Sequence, residues 1–121
     1  MEKPISPTLH GTLDYSTIAA TIAAPKLLGF PDRARWTAYA LAGGYLVLSA
    51  LTDYPPAVKR AVPFKAHGAT DVVLGAALPA FPWLLGFAKD RRARNFFLGL
   101  TGITMVVTAL TDWDAEQPDR A

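Results

Sequence analysis

Cysteine is absent from the 121 residues, so no disulfide framework, thiolate metal site or thiol chemistry is open to this chain. Charge is scarce as well. Only 18% of residues are Asp, Glu, Lys or Arg against 51% hydrophobic, and the charges sit in a few short patches. An ordinary soluble domain spreads its charge over the whole surface, so this distribution points elsewhere. The net charge of +2 is too small to argue for nucleic acid, and none is expected as a partner. The opening residues, Met1-Glu2-Lys3-Pro4, lack the basic-then-apolar order of a cleavable signal peptide. The length, residues 1–121, is that of one domain.

What the chain does have is a repeat. His10-Gly11-Thr12-Leu13-Asp14 returns as His67-Gly68-Ala69-Thr70-Asp71, and Leu51-Thr52-Asp53-Tyr54 returns as Leu110-Thr111-Asp112-Trp113. An offset of 57 also aligns Pro25 with Pro82 and Leu27-Leu28-Gly29-Phe30 with Leu84-Leu85-Gly86-Phe87. After a two-residue insertion the offset is 59, aligning Arg33-Ala34-Arg35 with Arg92-Ala93-Arg94 and Gly43 with Gly102. Matches at both ends and in the middle identify a duplication.

Each unit reads as two apolar segments around a charged turn. Repeat 1 covers 10–54 with helices expected at about 10–29 and 36–53, and a Pro-containing linker occupies 55–66. Repeat 2 covers 67–113 with helices at about 67–87 and 95–112, before a polar tail at 114–121 that is expected to fray. Ser6 or Thr8 is available to cap the first helix. Ala19/Ala23 and Ala20/Ala24 have the small-xxx-small spacing that lets membrane helices approach closely. Gly11, Gly68, Gly43 and Gly102 are expected at close helix contacts. Pro79 and Pro82 should bend the third segment.

The second and fourth segments show no polar stripe at helical period, which a surface helix of a soluble bundle would need. Counted from the marker histidines, the first and third helices reach roughly 19–21 residues, or about 30 Å, enough to span a bilayer. Trp36, Trp83, Trp113 and Tyr54 then read as anchors at the membrane interface.

The stretch Leu78-Pro79-Ala80-Phe81-Pro82-Trp83-Leu84-Leu85-Gly86-Phe87 resembles the signature of the SPW-repeat family of small bacterial membrane proteins, whose unit is two transmembrane helices. Pro82 and Trp83 match the family motif, Phe81 stands where the family has Ser, and Ala24-Pro25-Lys26 in the first repeat keeps only the proline. The resemblance implies a four-helix protein of the bacterial inner membrane and brings no settled activity with it.

The expected fold is therefore all-α: a four-transmembrane-helix bundle of two parallel two-helix repeats related by a pseudo-two-fold axis along the membrane normal. In that topology His10, Asp14, Asp53, His67, Asp71 and Asp112 converge on one rim. Each His lies four residues before an Asp, one turn apart on the same helix face. The opposite loops hold Arg33, Arg35, Lys89, Arg91, Arg92 and Arg94, with Lys26 nearby. The site side holds Lys3, Lys59, Arg60, Lys65 and Arg120. The positive-inside rule leans towards cytoplasmic turns and both termini outside.

Neutral imidazole with carboxylate is a ligand set for zinc, manganese or iron, and a metal-bound water would allow hydrolysis. Three other readings stand beside it. The His and Asp side chains can simply hydrogen-bond and pin the bundle, with Thr52 and Thr111 back-bonding to helix carbonyls. The carboxylates can conduct ions or protons, in which case the bilayer-embedded chain is expected to form a homo-oligomer. His10 and His67 can also serve as axial ligands of a haem, a reading the four carboxylates oppose.

Overall fold

The computed structural model describes residues 2–117 and is all-α; among them there is no strand, only two isolated bridges. Helix α1 spans Pro7–Leu28, α2 Asp32–Ala50, α3 Phe64–Ala77, α4 a single turn Phe81–Leu84, and α5 Arg91–Leu110. A 3-10 turn, Leu78–Ala80, joins α3 to α4, so the third segment is one interrupted helix and the chain has four helical segments. Pro79 and Pro82 supply no amide hydrogens there, and two missing donors within one turn break the α-helical ladder. Pro25 is alone in its stretch, and α1 continues through it.

The helices start earlier than the marker histidines. The Ser6 hydroxyl accepts from the Leu9 amide at 3.1 Å and Pro7 fills the first helical position, so His10 is already inside α1. Asp90 caps α5 by accepting from the Ala93 amide at 2.9 Å. The segments end alike too. Gly29 and Gly86 both take the left-handed conformation, at φ 65° and 79°, which glycine adopts without Cβ strain. Their followers close the same turn: the Phe30 amide donates to the Pro25 carbonyl at 2.9 Å and the Phe87 amide to Pro82 at 2.8 Å.

Helices α1 and α2 form one close hairpin and α3 with α5 a second; the hairpins touch each other less. The small-residue surface lies on α2, not on α1. Ala34, Ala38 and Ala42, one per turn, are buried, whereas Ala19, Ala20 and Ala23 are exposed and only Ala24 packs inward. At the charged-turn end, Phe30, Leu78, Phe87, Phe97 and Leu100 close the core with Ala24, Ala34, Ala38 and Ala93.

Two of the four glycines expected at close contacts are there. A Cβ on Gly11 would stand 2.7 Å from the Pro56 ring and 3.2 Å from Tyr54, and one on Gly68 3.0 Å from Trp113. Gly43 and Gly102 instead face open space. The repeat offset that aligns them gives them equivalent positions on α2 and α5, but does not make that position an inner one.

The outer surface is apolar: Leu27, Trp36, Val47, Val72, Val73 and Leu84 are each at least 60% exposed. Among the described residues α5 alone is both long and apolar enough to cross a membrane, its 20 residues rising about 30 Å. α1 carries His10, Asp14 and Lys26, α2 opens on Asp32, Arg33 and Arg35, and α3 stops at Ala77. In the described part of the tail, two side chains bond back to the body of the chain. The Lys65 ammonium bonds Asp114 at 2.8 Å and holds its carboxyl below the usual range, and the Gln117 amide donates to the Asp53 carbonyl at 2.9 Å. Arg120 and the rest of the tail from Pro118 lie outside the described residues.

Gly11→Ala should lower stability by about 1–3 kcal/mol, because the new methyl overpacks against Pro56. Gly102→Ala should be neutral or stabilise by about 0.5–1 kcal/mol, because it meets no neighbour and favours the helix. Thermal unfolding of the two variants in one detergent checks the contrast.

Candidate functional site

Two short backbone bridges bring the repeat ends together. The Ile5 amide donates to the Leu110 carbonyl at 3.1 Å and the Asp112 amide to the Ile5 carbonyl at 2.9 Å. At the other junction, Val62 donates to Leu51 and Asp53 to Val62, both at 2.7 Å. Ile5 and Val62 stand at the repeat offset of 57, so each repeat's lead pairs with the end of the other repeat. In such extended backbone neighbouring side chains point to opposite sides. Thr52 and Thr111 therefore face inward, both fully buried, and Asp53 and Asp112 face away.

The imidazoles meet the threonines. His10 Nδ1 lies 2.8 Å from Thr111 Oγ1, and His67 Nδ1 lies 2.8 Å from Thr52 Oγ1. Each hydroxyl already donates its one proton to a carbonyl, Thr111 to Val107 and Thr52 to Leu48, both at 2.6 Å. The ring must then be the donor, which fixes the Nδ1–H tautomer in both histidines. In a neutral ring Nε2 is left as a bare acceptor.

What Nε2 faces is a pair of carboxylates. His10 Nε2 is 3.4 Å from Asp14 Oδ1 and 3.2 Å from Asp71 Oδ2. His67 Nε2 is 3.1 Å from Asp14 Oδ2 and 3.4 Å from Asp71 Oδ2. Neither Nε2 has an aligned hydrogen-bond partner, although both histidines are fully buried. Candidate ligand atoms of His10, Asp14 and His67 all fall within 4.8 Å of one another. The far sides of the carboxylates are held by phenols: Tyr54 donates to Asp14 Oδ2 at 2.9 Å, and Tyr45 donates to Asp71 Oδ1.

Aromatic rings cover the polar end of this cluster. Phe64 and Trp113 lie 5.5 and 4.9 Å from the His10 ring and 4.6 Å from each other, and Tyr54 is 5.6 Å from His67. The Gly after each histidine makes room for this cover. Tyr54 sits against Gly11 and Trp113 against Gly68, as repeat-related pairs.

Of the six residues singled out in the sequence, His10, Asp14, His67 and Asp71 come together. Asp53 does not join them; it pairs with the Arg60 guanidinium at 2.9 Å. Asp112 accepts from the Asp114 amide at 3.2 Å instead. Five further residues build the site. Thr52 and Thr111 do back-bond, as expected, and hold the histidines besides. Tyr54 is no interfacial anchor but a buried carboxylate ligand, and Trp113 is part of the cover. Tyr45 stands three and seven residues after Ala42 and Ala38, on the small-residue face of α2, which is the signal that could have found it. Trp36 and Trp83 do lie outward, 62% and 59% exposed.

Fold and cluster together define a small helical protein with a buried His/Asp centre built jointly by two repeats. The SPW repeat domain matches residues 8–112, and the chain belongs to that family. No curated protein and no solved structure matches it.

Thr52→Val and Thr111→Val should each cost about 1–3 kcal/mol, because each leaves a buried Nδ1–H without an acceptor. Long-range proton–nitrogen NMR of the imidazoles should report the Nδ1–H form in the parent protein. A predominant Nε2–H form would remove the tautomer argument.

Proposed function

We propose that the chain is an integral membrane protein whose two repeats are joined by one divalent transition-metal ion held by His10, Asp14, His67 and Asp71. The observation that carries this reading is the pair of buried Nε2 atoms without aligned partners, each 3.1–3.4 Å from carboxylate oxygens of both aspartates. Four acceptors that converge without protons between them repel unless a cation lies among them. In a tetrahedral zinc site, bonds of about 2.0–2.1 Å place neighbouring ligand atoms roughly 3.3–3.4 Å apart. The four His–Asp contacts lie near that edge, and the trio His10, Asp14 and His67 has its ligand atoms within 4.8 Å of one another. Zinc, manganese and iron all accept these ligands. Two carboxylates balance the ion's charge, which a buried site requires. The threonines on Nδ1 and the phenols on the carboxylates are the outer-shell partners that orient such ligands.

Four protein ligands fill a tetrahedron, as in structural sites, whereas hydrolytic sites keep a position open for water. The ion's main role in this reading is thus to hold the hairpins together. Hydrolysis would require one aspartate to swing off or the ion to expand its coordination. The same nitrogen–oxygen distances also lie in ion-pair range, and this favours a second, metal-free reading. There the histidines carry the cationic charge and the cluster only fixes helix packing.

The apolar outer surface and the family membership support insertion of all four segments in the bilayer. The reciprocal bonds His10–Thr111 and His67–Thr52 support parallel repeats, 10–54 and 67–113, about a pseudo-two-fold axis along the membrane normal. The arginine-rich turns at Arg33–Arg35 and Arg91–Arg94 then lie in the cytoplasm of a bacterial cell and the cluster near the outer face. That placement makes the outward glycines and apolar residues available to lipid or to a second copy.

Protein purified in detergent should carry about one zinc ion per chain. Chelation should lower its thermal midpoint, and the ion should be absent from the His10→Ala/His67→Ala variant. Asp53→Asn with Asp112→Asn should retain it. Metal-free parent protein whose midpoint is indifferent to added zinc would leave the packing reading in its place.

A further inference from the structure

The two charged turns lie side by side at the end of the molecule away from the His/Asp cluster. The Phe30 ring in the first packs 5.6 Å from Phe96 on α5. Arg33 crosses to the second, where its guanidinium lies 3.5 Å from the Leu85 carbonyl oxygen. Cations outnumber acids here, and both acids are committed. Asp32 pairs with Arg35 at 2.9 Å, and Asp90 accepts from the Ala93 amide at 2.9 Å. Arg94 leans on the Ala88 carbonyl at 3.5 Å and the Asn95 side chain at 3.3 Å. Among the described residues, Lys26, Lys89, Arg91 and Arg92 have no ion-pair or side-chain hydrogen-bond partner, and all but Lys89 are exposed.

Equivalent residues of the two repeats differ at this end. Arg33 and Arg92 correspond at the offset of 59, and Gly29 and Gly86 at 57. The Arg33 guanidinium covers Gly86, where a Cβ would stand 2.8 Å from it, whereas a Cβ on Gly29 would meet nothing within 4 Å. Arg92 stands four residues before Phe96 and shares its face of α5, the face that meets Phe30 beside Gly29. Lys26, in the last turn of α1, approaches the same turn from the other hairpin. Two unpaired cations therefore flank an uncovered turn. Directly beside it Leu27 is 79% exposed, and Trp36 and Trp83 face outward at the same end. Cations at the rim with apolar side chains next to them complement a molecule with an anionic head and an apolar tail.

We propose that this end of the molecule seats an anionic phospholipid, its phosphate bonded by Arg92 and Lys26 across the Gly29 turn and an acyl chain lying on the apolar surface beside Leu27. Arginine presents paired N–H donors to phosphate oxygens, and lysine adds a point charge. A zwitterionic headgroup brings its own ammonium, which Lys89 and Arg91 repel, so the end selects for net negative charge. Inorganic phosphate meets the same cations but gains nothing from the apolar surface. The inference rests on the membrane reading above and does not depend on what occupies the His/Asp centre at the opposite end.

The test has two arms. In vesicles of phosphatidylcholine brominated along its acyl chains, the outward Trp36 and Trp83 should be quenched; unquenched fluorescence would remove the membrane reading and the lipid seat with it. Native mass spectrometry of the full chain, in detergent with equal amounts of phosphatidylglycerol and phosphatidylcholine, then reads the seat alone. One phosphatidylglycerol should be retained with a preference of at least about fivefold. Lys26→Gln with Arg92→Gln should bring that preference close to unity. Lys59→Gln with Lys65→Gln removes the same charge from the opposite end and should leave it unchanged; all four side chains are exposed, where folding tolerates the change. Equal retention of the two lipids, equal loss in both double variants, or displacement of the lipid by millimolar inorganic phosphate would overturn the seat while leaving insertion in place.

Discussion

The structure depends on one electrostatic constraint: two imidazoles and two carboxylates are buried together, and each imidazole gives its Nδ1 proton to a threonine of the other repeat. The 2.8 Å contacts from His10 to Thr111 and from His67 to Thr52 hold the rings in that state. Everything nearby serves this arrangement. The backbone bridges at Ile5 and Val62 turn the threonines inward, and the glycines after the histidines admit Tyr54 and Trp113 as cover. Tyr45 and Tyr54 steady the carboxylates from behind. Two carboxylates buried this close together need positive charge beside them, whether from a bound cation, as proposed, or from the imidazoles themselves.

The constraint also explains why a duplicated chain is needed. Each repeat alone supplies a His, an Asp and an inward Thr, but the bonds run crosswise. His10 takes its threonine from the second repeat and His67 from the first. A single hairpin would bury a histidine with no acceptor for Nδ1. The small-residue stripe Ala34, Ala38, Ala42 lets α2 close tightly on α1, and the looser seam between hairpins is where a small apolar cavity lies. The polar centre and the apolar cavity are two consequences of one packing arrangement.

Much of this was legible in the sequence, and the part that was not has a common cause. The offsets of 57 and 59 marked the repeat, and spacing of four placed each Asp one turn from its His. Periodicity along a helix fixes which residues share a face, and so His10 with Asp14 could be read. It does not fix the chain beyond the helix end. Thr52 and Asp53 lie past Ala50, where α2 stops, and extended backbone there reverses which of the two points inward. The same limit misplaced Asp112, and the outward Gly43 and Gly102 show that a position matched between repeats need not be an inner one. Tyr54 was misread because an aromatic after an apolar helix suits the membrane interface equally well; only the Gly11 contact distinguishes the two roles.

The measurement that bears most directly on the cluster is X-ray absorption at the metal edge on protein purified without added ions. A bound ion with two imidazole shells and nitrogen or oxygen ligands at about 2.0–2.1 Å is the result expected of the His10, Asp14, His67 and Asp71 centre. A sample with no absorption edge for zinc, manganese or iron, or an ion surrounded by water oxygens without imidazole scattering, would contradict it.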